Sequence, residues 1–518
     1  MPADEPSVSS HSTESLFSRI SPPLACLALA TAHAWPELIN AHELHSDAAV
    51  VGLQARHLFH GEWSWFLWGS GYQTSLDSVV AALYFLLLGK GPLALTLSTF
   101  GGHLLLVLCA YLTLARRYTR WQAALLVLPL CVVTGPLHIY MFSPPRQAAL
   151  TLVFFAIWLI DGAPTAPHPA RALALGGAVA GLACLGDPYA LVFLPGLALF
   201  LALSAWQGDP RQRLARAASG FAGGLLGIFP AWLLRQSPQA SHGVFGLTSG
   251  MLSHNLDLLW HVCLPYLLAV SVYFSSETGL HTWQPPTWFH CLQLLGATTL
   301  LGGIVWGGVS AAFARLPFER RRLAALGATM LPVTLAAFAL SVMVMDRLSA
   351  RYLVAIVLTA PFALGPALDA LGSKRFALAL TPWLVSSLVA GWLAHGSDLA
   401  GIWPVRHDPR ASDETALRAA LRARGLERGL ADYWVAYRLT FLYDEEVVIA
   451  PWHANLDRYP PYRALVGAAQ RVAYIYDPWR SKEDLATREA SITHAETEFL
   501  PNLEKFTAGR YTVLVLTR

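Results

Sequence analysis

Seven ionisable residues stand where apolar segments of this chain begin or end: Asp47, Asp77, Arg146, Asp187, Asp346, Arg347 and Arg351. Ionisable groups at membrane depth are expensive, so they face a cavity or one another. Both signs recur at what the segment count makes one face of the membrane, which favours a shared polar cavity. Arginine offers a planar fork of donors that fits phosphate, and a carboxylate accepts the proton of an attacking hydroxyl. Together these residue types suit a lipid-linked phosphate substrate. Each also has a plainer alternative. Asp47 caps a helix, Asp187 caps the helix from Pro188, and Arg146 and Arg351 snorkel to the interface.

The stretch 40–78 gathers most of the polar groups. It carries Glu43, Asp47, Glu62 and Asp77, four histidines, three tryptophans and Tyr72. Asp47 is the candidate catalytic residue. Glu43, His45, Tyr72, Asp77, Arg146, Asp187, Asp346, Arg347 and Arg351 are the candidate substrate ligands. Ala49, Val50, Leu53 and Leu58 fall at helical spacing, so a short helix is expected after Ser46. Ser46 reads as its N-cap, which puts Asp47 in the first turn against the positive helix end.

These groups need a membrane to position them. The 518 residues are 55% hydrophobic and only 13% charged, against about 25% charged in a soluble globular chain. The net charge of +3 is too small to argue for nucleic acid. All six cysteines lie in or beside apolar segments and read as small buried hydrophobes. A Cys263–Cys291 disulfide is left open, and no C-x-x-C spacing or other metal site is present.

Apolar segments are expected at 22–39, 92–115, 121–142, 146–160, 171–186, 189–205, 217–235, 291–312, 324–345, 352–371 and 376–394. Residues 1–21 read as a disordered cytoplasmic N-terminus. The small-residue triplets at 30–34 read as part of a retained first helix, because a signal peptide wants a basic leader and this one is acidic. Eleven spans place the basic loops 116–120, 211–216, 315–322 and 374–375 on one side, which the positive-inside rule makes cytoplasmic. Residues 40–78, a loop at 236–290 and the region after 395 then face the periplasm of a bacterial inner membrane. Leu258–Phe274 is expected to be re-entrant and 76–88 to lie along the interface with Leu76, Val79, Val80, Leu83 and Leu87 as its apolar face. Residues 396–518 turn polar, with strand-like runs at 447–449, 472–476 and 511–516 and helical ones at 413–424 and 482–498. That reads as a small α/β domain. The fold class is thus an α-helical multi-pass membrane protein with a C-terminal soluble α/β domain.

The run HSDAAVVGLQARHLFHGE, then GYQTSLDS and LLLGKGPLAL, resembles the first outward loop of the GT-C superfamily. These are multi-pass glycosyltransferases that use polyprenyl-phosphate sugars, among them protein O-mannosyltransferases and the aminoarabinose transferases of lipid A. The resemblance covers roughly 20–205, and loosely 340–395, where Asp346-Arg347 and Arg351-Tyr352-Leu353 are similar to an arginine-bearing outward loop. It implies Asp47 as the base and donor phosphate near Arg347 and Arg351; one displacement with one base would then invert the anomeric carbon. There is one departure: many relatives have an acidic pair at the catalytic position, and here Ala48 follows Asp47. Glu43 and Asp77 are the alternative second carboxylates, and a divalent cation is left open as a cofactor.

The stretches ADYWVAYR (431–438) and RYPPY (458–462) resemble the tail of bacterial members, without a role attached. They read as sugar-stacking aromatics or as a packed helix through Trp434, Tyr437 and Phe441. The expected partners are a polyprenyl-phosphate sugar donor, a periplasmic acceptor and the bilayer. A flippase for a lipid-linked glycan has the same cavity without the chemistry and is the rival expectation. A catalytically dead scaffold is a third.

Overall fold

The computed structural model describes residues 16–241, 246–276, 279–313, 315–395, 409–478 and 503–517, together with 481, 485–487, 489 and 490. Helix α1 (Leu16–Ile39) leads through a 3-10 turn at Ala41–Glu43 into the short α2 (Ser46–Leu58) and then α3 (Leu76–Leu88). A bundle follows: α4 (Pro92–Leu114), α5 (Arg120–Cys131), α6 (Gly135–Phe142), α7 (Gln147–Gly162), α8 (Pro169–Gly186), α9 (Leu194–Ala205) and α10 (Pro210–Leu234). Helix α11 (Leu252–Leu258), a π-helical turn and α12 (Leu264–Leu267) form a broken helix before the hairpin β1 (Tyr273–Ser276) and β2 (Gly279–Thr282). Helices α13 (Thr287–Ala312), α14 (Phe318–Leu340), α15 (Val354–Ala363) and α16 (Gly365–His395) complete the membrane part.

Among the described residues, eight helical segments are long and apolar enough to cross a bilayer, and α5 with α6 form a ninth, bent by 85°. The apolar segment expected at 121–142 is thus present as this bent pair. Pro129 removes a backbone donor near the end of α5, and Val132 is extended. Pro136 restarts the chain as α6, proline being tolerated in a first turn. The eleven expected segments also count 22–39 and 352–371. The first lies in α1, which begins earlier, at Leu16, and carries Pro22, Pro23 and Pro36. The second runs from α15 to Gly372, where φ of 72° breaks α16.

Helices α8 and α10 show how the small residues act. A Cβ on Gly177 would sit 2.0 Å from the carbonyl oxygen of Gly220, and one on Gly223 equally close to that of Ala174. Backbones approach this closely only where side chains are absent, the packing that replaces the hydrophobic drive inside a bilayer. Helix α3 packs on the protein by its polar edge, and Leu83 and Leu87 of the expected apolar face stay on the outside. Asp77, Ser78, Ala81 and Phe85 are buried, while Leu83, Leu86, Leu87 and Leu88 point outward. The polar edge seeks protein partners, and the leucines are left to an apolar surrounding.

Three basic loops meet at one end of the bundle. Buried Asp161 accepts from Arg116, Arg117 and Arg322, and Arg320 donates to the carbonyl of Arg117 and to Asp369. Gln207 ties Glu319 to Arg216.

The C-terminal domain holds α17 (Pro409–Ala423), β3 (Arg428–Ala431), α18 (Tyr433–Leu442), β4 (Val448–Pro451), α19 (Pro460–Gly467), β5 (Arg471–Tyr476), β6 (Leu503–Ala508) and β7 (Tyr511–Thr517). Its sheet order is β4-β3-β5-β7-β6, with β3 parallel to β4 and β5 and β7 antiparallel to β5 and β6. The expected helix at 482–498 lies largely outside the described residues. Alternation along the strands divides the core. Ala473, Ile475, Val513 and Val515 join Leu417 and Leu421 of α17, whereas Val472, Tyr474, Leu514 and Leu516 join the other face. That second core is shared with the membrane part: Tyr437 and Phe441 of α18 pack with Val50, Leu53 and Ala55 of α2 and Leu95 of α4. Each fully buried aromatic contributes about 1.5–3 kcal/mol. The charge pair of buried Arg56 with Asp444, whose carboxylate is 63% exposed and so solvent-screened, contributes about 0–1 kcal/mol. Apolar burial therefore docks the domain.

Candidate active site

The N-cap of α2 lies one residue before the expected one, so the helix begins at Ser46 itself. Its N-cap is His45, whose Nδ1 accepts from the Ala48 N–H at 3.3 Å. Ser46 instead donates its hydroxyl to the carbonyl of Tyr433 at 2.5 Å. A tertiary acceptor has taken the serine from the local one.

Asp47 does not cap the helix either. Its Oδ1 accepts from the Tyr433 hydroxyl, the Arg458 Nη2 lies 4.0 Å away, and the side chain is 35% exposed. Among the described residues no backbone N–H donates to this carboxylate and Oδ2 has no hydrogen-bond partner. The plain capping alternative is thereby removed. Arg458 also donates from Nε to the Tyr433 hydroxyl at 3.3 Å and from Nη1 to the Gly69 carbonyl at 2.7 Å. Burial, then the adjacent Asp47 charge, pushes the Tyr433 phenol well above its usual range. Burial would lower the Arg458 pKa, but Tyr433 and Asp47 outweigh it. Tyr433 and Arg458 were not among the residues singled out for the site. The aromatic, charged stretches that contain them are visible in the sequence, but their contact with residue 47 is not.

A second group lies between α3, α7 and α8. Arg146 donates from Nε to Asp187 Oδ2 at 2.9 Å and from Nη1 to Tyr140 at 2.8 Å. It stands over the rings of Tyr140, Tyr189 and Tyr352. Asp187 also accepts from Gln73 at 2.7 Å and caps the turn at Pro188–Phe193 through the Tyr189 N–H. Both expected roles of Asp187, cap and charge, are thus filled at once. Asp77 binds backbone: its two oxygens accept from the N–H groups of Arg146 and Ala148, at the start of α7. Arg146 sits at φ 124°, a conformation that costs a non-glycine residue about 1–3 kcal/mol and is held by bonds to both its backbone and its side chain.

Tyr72 lies between the two groups, with Asp187, Arg146 and Arg458 in its electrostatic surroundings; burial, then Asp187, raises its phenol pKa. Arg351 is next to Arg146 and Tyr140, donates to the Tyr352 hydroxyl at 3.1 Å and has a buried Nε without a partner. Arg347 stands over Tyr273. Among the described residues neither Arg347 nor Arg351 has a carboxylate partner, so both are free to neutralise an anion. Asp346 is exposed and caps the 3-10 turn Arg347–Leu353. Glu43 stands 3.9 Å from His42, and His45 meets Trp434 edge to face.

The donor set at Asp47 does not suit a divalent cation. Its charged neighbour is Arg458, Ala48 is buried, and among the described residues no three His, Cys, Asp or Glu groups gather as a metal site. The cysteines are free, with Cys263 buried and Cys291 exposed.

The backbone as a whole superposes on ArnT from Cupriavidus metallidurans, solved bound to undecaprenyl phosphate, with a TM-score of 0.56 over 97% of this chain and 98% of that one. The fold is thus like that of ArnT. The apo state of the same ArnT matches at 0.55, over 95% of this chain and 98% of that one. Identity is 12% and 13% in the two alignments, so the likeness is one of architecture. No family model matches the chain. No curated protein matches it in sequence. The alignment takes in the C-terminal domain as well as the bundle.

Proposed function

We propose that the chain transfers a sugar from a polyprenyl-phosphate donor to an acceptor hydroxyl on the periplasmic face of a bacterial inner membrane. The observation that carries this is an Asp47 carboxylate with one oxygen held by Tyr433 and the other unengaged. The acceptor oxygen attacks the anomeric carbon and its proton passes to Asp47 Oδ2. The bond from that carbon to the phosphate oxygen breaks, and its electron pair leaves on the lipid phosphate. Arg351 and Arg347 neutralise the phosphate, while Arg146, already paired with Asp187, shapes the cavity wall. One displacement with one base inverts the anomeric centre. ArnT, the protein of like fold, was solved with undecaprenyl phosphate, which supports the lipid class of the donor.

The test is release of undecaprenyl phosphate from undecaprenyl-phosphate-linked mannose and aminoarabinose by the protein in nanodiscs, with membrane extract as acceptor source. A positioned base commonly contributes about 10²–10⁴-fold, so Asp47→Asn should lose that much while still binding undecaprenyl phosphate. Near-normal release by Asp47→Asn would overturn Asp47 as the base, and no release by the wild type would favour a flippase, which cleaves no bond.

A further inference from the structure

Resting on Asp47 as the base, we infer that Tyr433 of the C-terminal domain is its positioning residue, polarised in turn by Arg458. A carboxylate that is one-third exposed turns freely about its terminal bond, and a base works only when one oxygen meets the acceptor proton at hydrogen-bond distance. The Tyr433 O–H fixes Oδ1 and so aims Oδ2.

Tyr433 is itself fixed. Its carbonyl accepts from Ser46, its ring packs edge to face on Trp434 and Tyr437 at 5.1 and 5.8 Å, and Asp432 caps α18 beneath it. Arg458 stands over the ring at 5.4 Å and donates to the phenol oxygen, strengthening the O–H as a donor. Arg458 is held in place by the Gly69 carbonyl. Gly69, at φ +62°, comes so close that a Cβ there would lie 2.5 Å from the Arg458 Cδ. The base is thus on the membrane part and its support on the soluble domain, and the site is complete only when the two are docked.

A double-mutant cycle separates positioning from packing. Tyr433→Phe, which keeps the ring, should lower kcat for undecaprenyl phosphate release about 10–100-fold, the worth of a hydrogen bond to a charged group, with KM changed less than about two-fold. In the Asp47→Asn background it should cost nothing further. Arg458→Met, which leaves α18 untouched, should show a smaller loss that also vanishes in that background, and it serves if Tyr433→Phe accumulates poorly. Tyr443→Phe, which removes a buried hydroxyl bonded to the Glu414 carbonyl, controls for domain stability and should leave kcat intact. Full release by Tyr433→Phe alongside an inactive Asp47→Asn overturns the role of Tyr433 alone, as do losses that multiply in the double variant. Near-normal release by Asp47→Asn overturns the base assignment and this inference together.

Discussion

The Tyr433 hydroxyl donates to Asp47 across 386 residues of chain. That bond joins α2 to the first turn of α18 in the C-terminal domain. Further contacts of the same kind run along the seam: Arg438 donates to the His42 carbonyl at 3.1 Å and Arg56 to the Phe441 carbonyl at 2.9 Å. The domain accordingly touches the candidate base, and the consequences can be measured.

Arg351 should bind the phosphate of the donor by geometry as well as charge. Arg351→Lys keeps the charge and loses the fork, so the Kd for undecaprenyl phosphate in nanodiscs should weaken about ten-fold, equivalent to about 1.4 kcal/mol. An unchanged Kd would move the phosphate to Arg347.

Asp187→Asn should leave Arg146 buried with an uncompensated charge. Removing one partner of such a pair costs about 3–5 kcal/mol, read as a lower Tm in detergent and poor accumulation. Adding Arg146→Gln should recover part of that loss. No recovery would show that the cap made by Asp187 matters more than its charge.

Docking should depend on pH through His57, which contacts Glu62 at 2.7 Å and Glu445 of the C-terminal domain at 2.8 Å. Burial alone would lower the His57 pKa, but the two carboxylates outweigh it and the net shift is upward. Its contribution is therefore full below about pH 6.5, the unfolded value, and is lost as pH rises through the higher folded value. For Glu445 burial opposes the shift, and the bonds to His57 and Tyr462 prevail; for Glu62 the bond to His57 leads. Both pKa values fall, so their contribution is present above about pH 4.3 and fades on acidification. Tm against pH should fall on the alkaline side in the wild type, and His57→Gln should flatten that fall. A parallel curve in the variant would count against the clasp.

Gly52→Ala should loosen the seam. The added methyl would lie 2.6 Å from Phe441 Cε2 and 2.9 Å from Leu95 Cδ2, and overpacking of this kind costs about 1–3 kcal/mol. Faster amide hydrogen exchange in α2 and α18 is the expected sign. Unchanged exchange would mean that the core yields there.

Reporter fusions at Asp398 and Arg518 should register outside the cytoplasm. The basic loops that meet around Asp161 and Arg320 all belong to the opposite end. A cytoplasmic signal from both fusions would reverse the orientation and remove the periplasmic assignment of the site.

By itself the sequence determined the solvent, most of the apolar segments, the polar C-terminal domain and Asp47 as the residue to watch, because composition, periodicity and short motifs are local properties. It could not determine which oxygen of Asp47 is engaged, since Tyr433 and Arg458 reach it through contacts of nearly 400 positions' separation that no period encodes. Ser46 shows the same limit: its local signal is a cap, and a distant carbonyl outcompetes the backbone. Asp77 reads as a substrate ligand or a second carboxylate, yet its oxygens accept from the N–H groups of Arg146 and Ala148 at the start of α7. The break between α5 and α6 was written in Pro129, Gly135 and Pro136, but it competes with an apolar run long enough to span. What the tertiary structure decided is pairing: Arg146 is neutralised by Asp187 while Arg347 and Arg351 are not, and only distances between side chains can make that distinction.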